Sequence, residues 1–154
     1  MLEITKNLLL NLDTPTTYAR GVDVEAGSSI WDYVHLTNCQ IGRECMIGAF
    51  VEIASGAVIG DRTRIQSHTY ICAGVTIGAD CFVAHGVVFV SAGDGHQEHA
   101  ARLSERVSVG SNATILPVTI GAGSVVGAGS VVTGDVPAGV VVAGNPAVVI
   151  RELD

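Results

Sequence analysis

Residues 59–78 read IGDRTRIQSHTYICAGVTIG, with isoleucine returning at Ile59, Ile65, Ile71 and Ile77. A period of six fits neither a helix nor a plain strand, whose side chains repeat near 3.6 and 2 residues. The position extends outward as Ile41, Ile47, Ile53, Val83 and Phe89. An earlier run, Tyr18, Val24, Ile30 and Leu36, keeps the spacing and slips by one residue before Ile41. A later run, Val109 and Ile115, then Ile120, Val126 and Val132, slips once, between 115 and 120.

The fifth residue of each hexad is small or β-branched: Cys45, Val51, Ala57, Thr63, Thr69, Val75, Cys81 and Val87. The second is often glycine (Gly42, Gly48, Gly60, Gly78), as a sharp turn or an unusual φ would require. One large and one small inward residue with a turn between them make one short strand per hexad. Three such strands close a triangle, and successive coils stack at roughly 4.8 Å. The predicted fold is all-β, a parallel β-helix in which each coil buries surface only against its neighbours.

The bulk properties agree. The 154 residues make about one domain, divided as a lead-in segment over 1–17 and a β-helix with C-terminal tail over 18–154. Apolar residues are 48% of the chain and aromatics 5%, so small and β-branched side chains must fill the core. A net charge of -7 argues against a nucleic-acid partner, which needs a basic stripe. MLEITKNLLLNLD has only three consecutive leucines, too few for a signal-peptide core. No stretch approaches the ~18 apolar residues of a membrane span, so a cytoplasmic protein is expected. Cys39, Cys45, Cys72 and Cys81 form no CxxC pair and suit a reducing compartment. Cys45 and Cys81, two coils apart at one inward position, are too distant for a disulfide and read as core residues.

Between Phe89 and Val109 the period fails. Residues 91–106, SAGDGHQEHAARLSER, read as a loop thrown out from the prism, and long loops in compact domains are commonly functional.

The hexads, the strings GSNATILP, GAGSVVT and AGNPA, and the loop together resemble the hexapeptide-repeat acyltransferases. The resemblance covers about residues 18 to 151 and implies a left-handed coil, although parallel crossovers are usually right-handed. It also implies acetyl-CoA as co-substrate and a homotrimer whose active sites lie between subunits, with the loop helping to enclose them. SSIWDYVHL, IQSHTYICAGVTI and CFVAHGVVF are similar to the subgroup that N-acylates amino sugars on nucleotide diphosphates. A 3-amino or 4-amino deoxy sugar is the implied acceptor. The Asn-Asp…Pro-Arg loop string of that subgroup is absent.

Five histidines bear on that chemistry. His68 is the outward fourth residue of its hexad, and His85, 17 residues later, falls on the neighbouring coil of the same face. Attack of an uncharged amine on a thioester needs a proton acceptor, and a histidine suits that role. A backbone N–H of an adjacent coil can receive the developing negative charge. His68 is the favoured base. His96, with His99 in the loop, supports an alternative O-acetyltransferase acting on a sugar or xenobiotic, although Gln97 stands where that group carries proline. His85 with His96 or His99 would also have to converge for a metal-dependent γ-type carbonic anhydrase; no metal is expected. A non-catalytic scaffold is the remaining alternative. His35 reads as structural or interfacial, and Trp31 as outward-facing. Positions matching the family's CoA contacts are Ser111, Ala128, Thr133 and Arg151, whereas Gly134 and Val148 replace residues that are often basic.

Overall fold

The computed structural model describes residues 1–93 and 99–154. It is a left-handed parallel β-helix with three faces. Strands of two residues alternate with corners, and each pairs in parallel with the strand one coil away. The first face stacks Met46–Ile47, Arg64–Ile65, Phe82–Val83, Ser108–Val109 and Val125–Val126 in register. The second stacks Glu52–Ile53, Tyr70–Ile71, Val88–Phe89, Thr114–Ile115 and Val131–Val132. The third runs through Val58–Ile59, Thr76–Ile77, Arg102–Leu103 and Thr119–Ile120. Among the described residues no helix is long and apolar enough to cross a membrane.

The hexad's two inward positions make the core. Ile47, Ile53, Ile65, Ile71 and Phe89 are fully buried, as are Ala57, Thr63, Val75 and Val87. Each such isoleucine stabilises the fold by about 1.5–3 kcal/mol relative to exposure. The inward polar residues are satisfied by a shared device. Thr63 Oγ1 donates to the Gly78 carbonyl at 2.8 Å and accepts from Cys81 N at 3.1 Å. Ser28 Oγ, two coils earlier in the same row, donates to the Gly42 carbonyl at 2.8 Å. Cys45 and Cys81 take the same place with their thiols, 3.2 Å from the Gly60 carbonyl and 3.1 Å from that of Ser104. All four cysteines are free and buried.

Several expectations need correction. Tyr18 is not inward: Thr17–Val24 is one long strand in which Thr17, Ala19, Val22 and Val24 face the core. Tyr18 instead packs edge-on against His35, ring centroids 4.7 Å apart. The external excursion is shorter than 91–106, because Ala101 and Leu103 are buried and Arg102–Leu103 rejoins the third face. The glycines at the second hexad position are required by close approach, not by φ: a Cβ on Gly48 would lie 2.7 Å from Ser67 N. Positive φ falls two residues later, on Glu44, Phe50, Arg62, His68 and Asp80. At the slip after Ile115, the Val118 N–H donates to the Leu116 carbonyl at 2.7 Å, which closes a corner one residue shorter than its neighbours.

The lead-in residues join the sheets. Leu2–Glu3 runs antiparallel to Ser29–Ile30, and Leu8–Thr14 antiparallel to Thr17–Val24. At the other end Val140–Gly144 and Ala147–Glu152 form an antiparallel hairpin on the first face.

Candidate active site

The corner between the first and second faces gathers the candidate residues. Coil-to-coil hydrogen bonds fix its rungs: His68 N to the Ala49 carbonyl, Gly86 N to that of Ser67, Asn112 N to that of His85, and Gly129 N to that of Ser111. One row of the corner is therefore Ala49, Ser67, His85, Ser111 and Ala128. The next row is Tyr33, Phe50, His68, Gly86, Asn112 and Gly129, all with φ between 59° and 69°.

His68 and His85 lie on neighbouring coils of this corner, in adjacent rows. Across the rung, His85 faces Ser67, not His68, because a full coil here is 18 residues. The Ser67 hydroxyl oxygen lies 2.8 Å from His85 Nδ1. Two tautomers satisfy that bond. When His85 Nδ1–H donates to Ser67 Oγ, Nε2 keeps its lone pair and the exposed ring can accept a proton. His68 sits in a different setting: its ring stacks on Phe50, centroids 4.9 Å apart and planes 9° from parallel. Phe50 stacks in turn on Tyr33 at 5.0 Å and 5°. Tyr33 and Phe50 are both more than half exposed, so this column of rings stands in solvent along the corner.

Beside the column a surface groove is lined by Trp31, Met46, Gly48, Ala49, Gln66 and Ser67. Trp31 points outward, 47% exposed.

Toward the C-terminal coils the same corner carries only small side chains. Ser111 and Ala128 share the row of His85. A Cβ on Gly110 would lie 2.4 Å from Ala128 N, so glycine lets these two coils approach closely. Ala128 N donates to no backbone carbonyl within the described chain. Thr133 is exposed at the next corner, where the second face ends and the external loop departs. Arg151 is exposed in the C-terminal hairpin, its Cα opposite Val141. The corner thus unites His68, His85, Ser111 and Ala128, and leaves Thr133 and Arg151 elsewhere.

His96 lies outside the described residues, and His99 is exposed at the foot of the loop. Among the described residues no three His, Cys, Asp or Glu side chains converge as a metal-binding group. Sequence reasoning missed Ser67, although its signal was there: 67 and 85 are one coil apart.

Known proteins share this architecture. Two family models match, "Bacterial transferase hexapeptide (six repeats)" over residues 56–90 and "Hexapeptide repeat of succinyl-transferase" over residues 104–134. The solved structure of the polySia specific acetyltransferase NeuO is 31% identical, covering 87% of this chain and 68% of NeuO, with a TM-score of 0.61. The chain belongs to the hexapeptide-repeat acyltransferase family. A second member of solved structure, a hexapeptide-repeat acetyltransferase from Vibrio cholerae O1 biovar eltor complexed with acetyl coenzyme A, is 28% identical. That match covers 82% of this chain and 68% of that one, with a TM-score of 0.56. The bifunctional protein GlmU of Nitratidesulfovibrio vulgaris (strain DP4) is 31% identical over 137 residues, 78% of this chain. The chain spans about 30% of the length of the curated relatives it matches first.

Proposed function

We propose that this acyltransferase moves an acetyl group from acetyl-CoA to an amino group on a carbohydrate, with His85 as the proton acceptor. The observation that carries the reading is the Ser67–His85 hydrogen bond at 2.8 Å, on the same corner row as Ser111 and Ala128. The Vibrio relative bound to acetyl coenzyme A supports the choice of acyl donor. The polySia specific relative supports a carbohydrate acceptor.

The chemistry follows from the row. The acceptor nitrogen attacks the thioester carbonyl carbon, the C–N bond forms and the C–S bond breaks. The sulfur leaves as the CoA thiolate and becomes the thiol when the His85 imidazolium returns the proton shed by the nitrogen. His85 Nε2 takes the proton that the nitrogen sheds, while Ser67 Oγ accepts from Nδ1–H and steadies the imidazolium. The Ala128 N–H, which donates to no backbone carbonyl within the described chain, is assigned to a carbonyl of the donor substrate. Ser111 and Ala128 flank the acyl arm, and Thr133 and Arg151 serve its outer parts from a neighbouring coil or subunit. A homotrimer with active sites between its subunits completes the proposal.

An amino acceptor and a hydroxyl acceptor place the same demands on His85, so the experiment separates them directly. Free thiol release from acetyl-CoA is followed with 3-amino and 4-amino nucleotide sugars and with their hydroxyl counterparts. Turnover confined to the amino sugars supports the reading. Turnover confined to the hydroxyl sugars, and abolished by His96→Ala, establishes the O-acetyl alternative.

A further inference from the structure

The two ends of the prism are finished differently. At the N-terminal end Leu2–Glu3 and Leu8–Thr14 run antiparallel to strands of the first coil. Asn11 and Asn7 fasten this lid, their Oδ1 atoms accepting from Gly21 N and Ala26 N at 2.8 Å. Leu8, Leu10 and Leu12 pack beneath it against the core. At the C-terminal end the second-face stack stops at Val131–Val132 and the third at Thr119–Ile120. Only the first face goes further, through the hairpin to Ala147–Glu152. The outer edge of that last strand pairs with no strand among the described residues.

The last strand is also apolar on both sides. Val148, Val149 and Ile150 are 58%, 51% and 59% exposed. Val148 lies opposite Ala143 and Val149 opposite Val142, while Ile150 is the extra residue where the register shifts. Neighbouring side chains of a strand point to opposite faces, so exposure of both valines leaves both faces uncovered. Beside Val149 a groove of about 450 Å³ is lined by Pro137, Ala138, Val140 and Leu153. The Leu153 N–H donates to the Gly139 carbonyl at 2.7 Å and so fixes the chain along that groove.

We infer that this end is a contact between two copies of the chain, joined end to end about a two-fold axis. The Val148–Ile150 patch of each copy is set against the groove of the other. Patch and groove lie side by side on one end, as an isologous contact requires. A head-to-tail contact would need a matching surface at the N-terminal end, which the lid closes. An anionic lipid surface attracts basic segments, whereas this strand and tail hold Glu152 and Asp154 against one cation, Arg151. The inference takes from the proposed function only the ring of three subunits. Three half-exposed side chains per copy bury a few hundred Å² in one pairing, well short of the roughly 1,200 Å² of a stable interface. Two rings make three such pairings at once, and the linkage strengthens each. The contact therefore joins rings rather than single chains, and joins them weakly.

The test is molar mass by light scattering and sedimentation equilibrium, from micromolar to near-millimolar chain concentration. The native mass should double across that range, from three chains to six. Added sodium chloride should strengthen the association, because it screens the like charges of the two ends and leaves apolar packing in place. Ile150→Lys should hold the mass at its micromolar value. Val148→Thr, which keeps a β-branched side chain in the strand, is the milder second variant and should weaken the doubling. Leu9→Lys, at the 59% exposed leucine of the opposite end, should double like the native protein. A native mass that stays constant, or a doubling that both patch variants retain, overturns the contact. Doubling lost in Leu9→Lys and kept in Ile150→Lys overturns it in favour of the other end. A folded Ile150→Lys that is already smaller than the native protein at micromolar concentration overturns it too, since the patch is then covered within one ring. A native protein of one chain at micromolar concentration counts against the proposed ring, and a doubling of that mass still supports the end contact.

Discussion

Ser67 Oγ and His85 Nδ1 lie 2.8 Å apart across one rung of the β-helix, on residues separated by one full coil. The bond joins a side chain to the residue stacked directly above it, so the coil's own hydrogen bonds set its geometry. If it orients the imidazole, Ser67→Ala should lower kcat about five- to tenfold, the worth of one net hydrogen bond of ~1 kcal/mol. KM for acetyl-CoA should not change. Ser67→Thr, which restores the hydroxyl, should recover most of the rate; equal losses in both variants would point to packing instead.

Ala128 marks the strip assigned to the acyl donor. It is exposed, so Ala128→Glu costs the fold little, within about 0.5 kcal/mol for a surface change. The added bulk and negative charge should raise KM for acetyl-CoA about tenfold or more, because the row has no room for both. A variant with native Tm and native KM would move the donor to another corner.

Assembly can be measured without any substrate. A ring of three subunits closes by one heterologous contact repeated about a threefold axis. Light scattering at micromolar concentration should give three times the 15.8 kDa chain mass. A stable monomer would remove the neighbour that a site between subunits requires.

Alkaline stability should report the cysteines. Burial pushes the Cys39 thiol up to about 12 and the Cys45 thiol to about 11. An unfolded thiol ionises near 8.5. The native state therefore keeps its protons where the unfolded state has lost them. The contribution of these thiols is complete below about pH 8.5 and is lost as pH rises toward 11–12. Melting temperature should fall between pH 8 and 10.5, and by less in a Cys39→Ala, Cys45→Ala double variant. Identical slopes would show that the thiols ionise alike in both states.

The fold was legible because six-residue periodicity has one structural meaning: Ile41 through Phe89 could be read straight onto the three faces. The C-terminal resumption was harder. Leu103 stands six residues before Val109 and keeps the phase, but it is embedded among the charged residues Arg102, Glu105 and Arg106, whose outward side chains mask it. Tyr18 matched the period by coincidence, since a long strand buries alternate residues and put Thr17 and Ala19 inside instead. At the corner, outward histidines could be found by position in the hexad, but their partners could not. A shift of one residue, 17 against 18, decides whether His85 meets His68 or Ser67. Stacking of Tyr33, Phe50 and His68 depends on positive φ at the fourth hexad position, which non-glycine residues rarely adopt and sequence alone does not announce.

The most direct test of the account is turnover of His85→Ala beside His68→Ala, measured as thiol release from acetyl-CoA with the best amino-sugar acceptor. Both side chains are exposed, so both variants should keep the native fold. His85→Ala should lower kcat by about 10² to 10⁴, the usual contribution of a general base, with CoA binding unchanged. His68→Ala should lower kcat far less. Near-native kcat in His85→Ala, together with loss of turnover in His68→Ala, would contradict the assignment and return the base to His68.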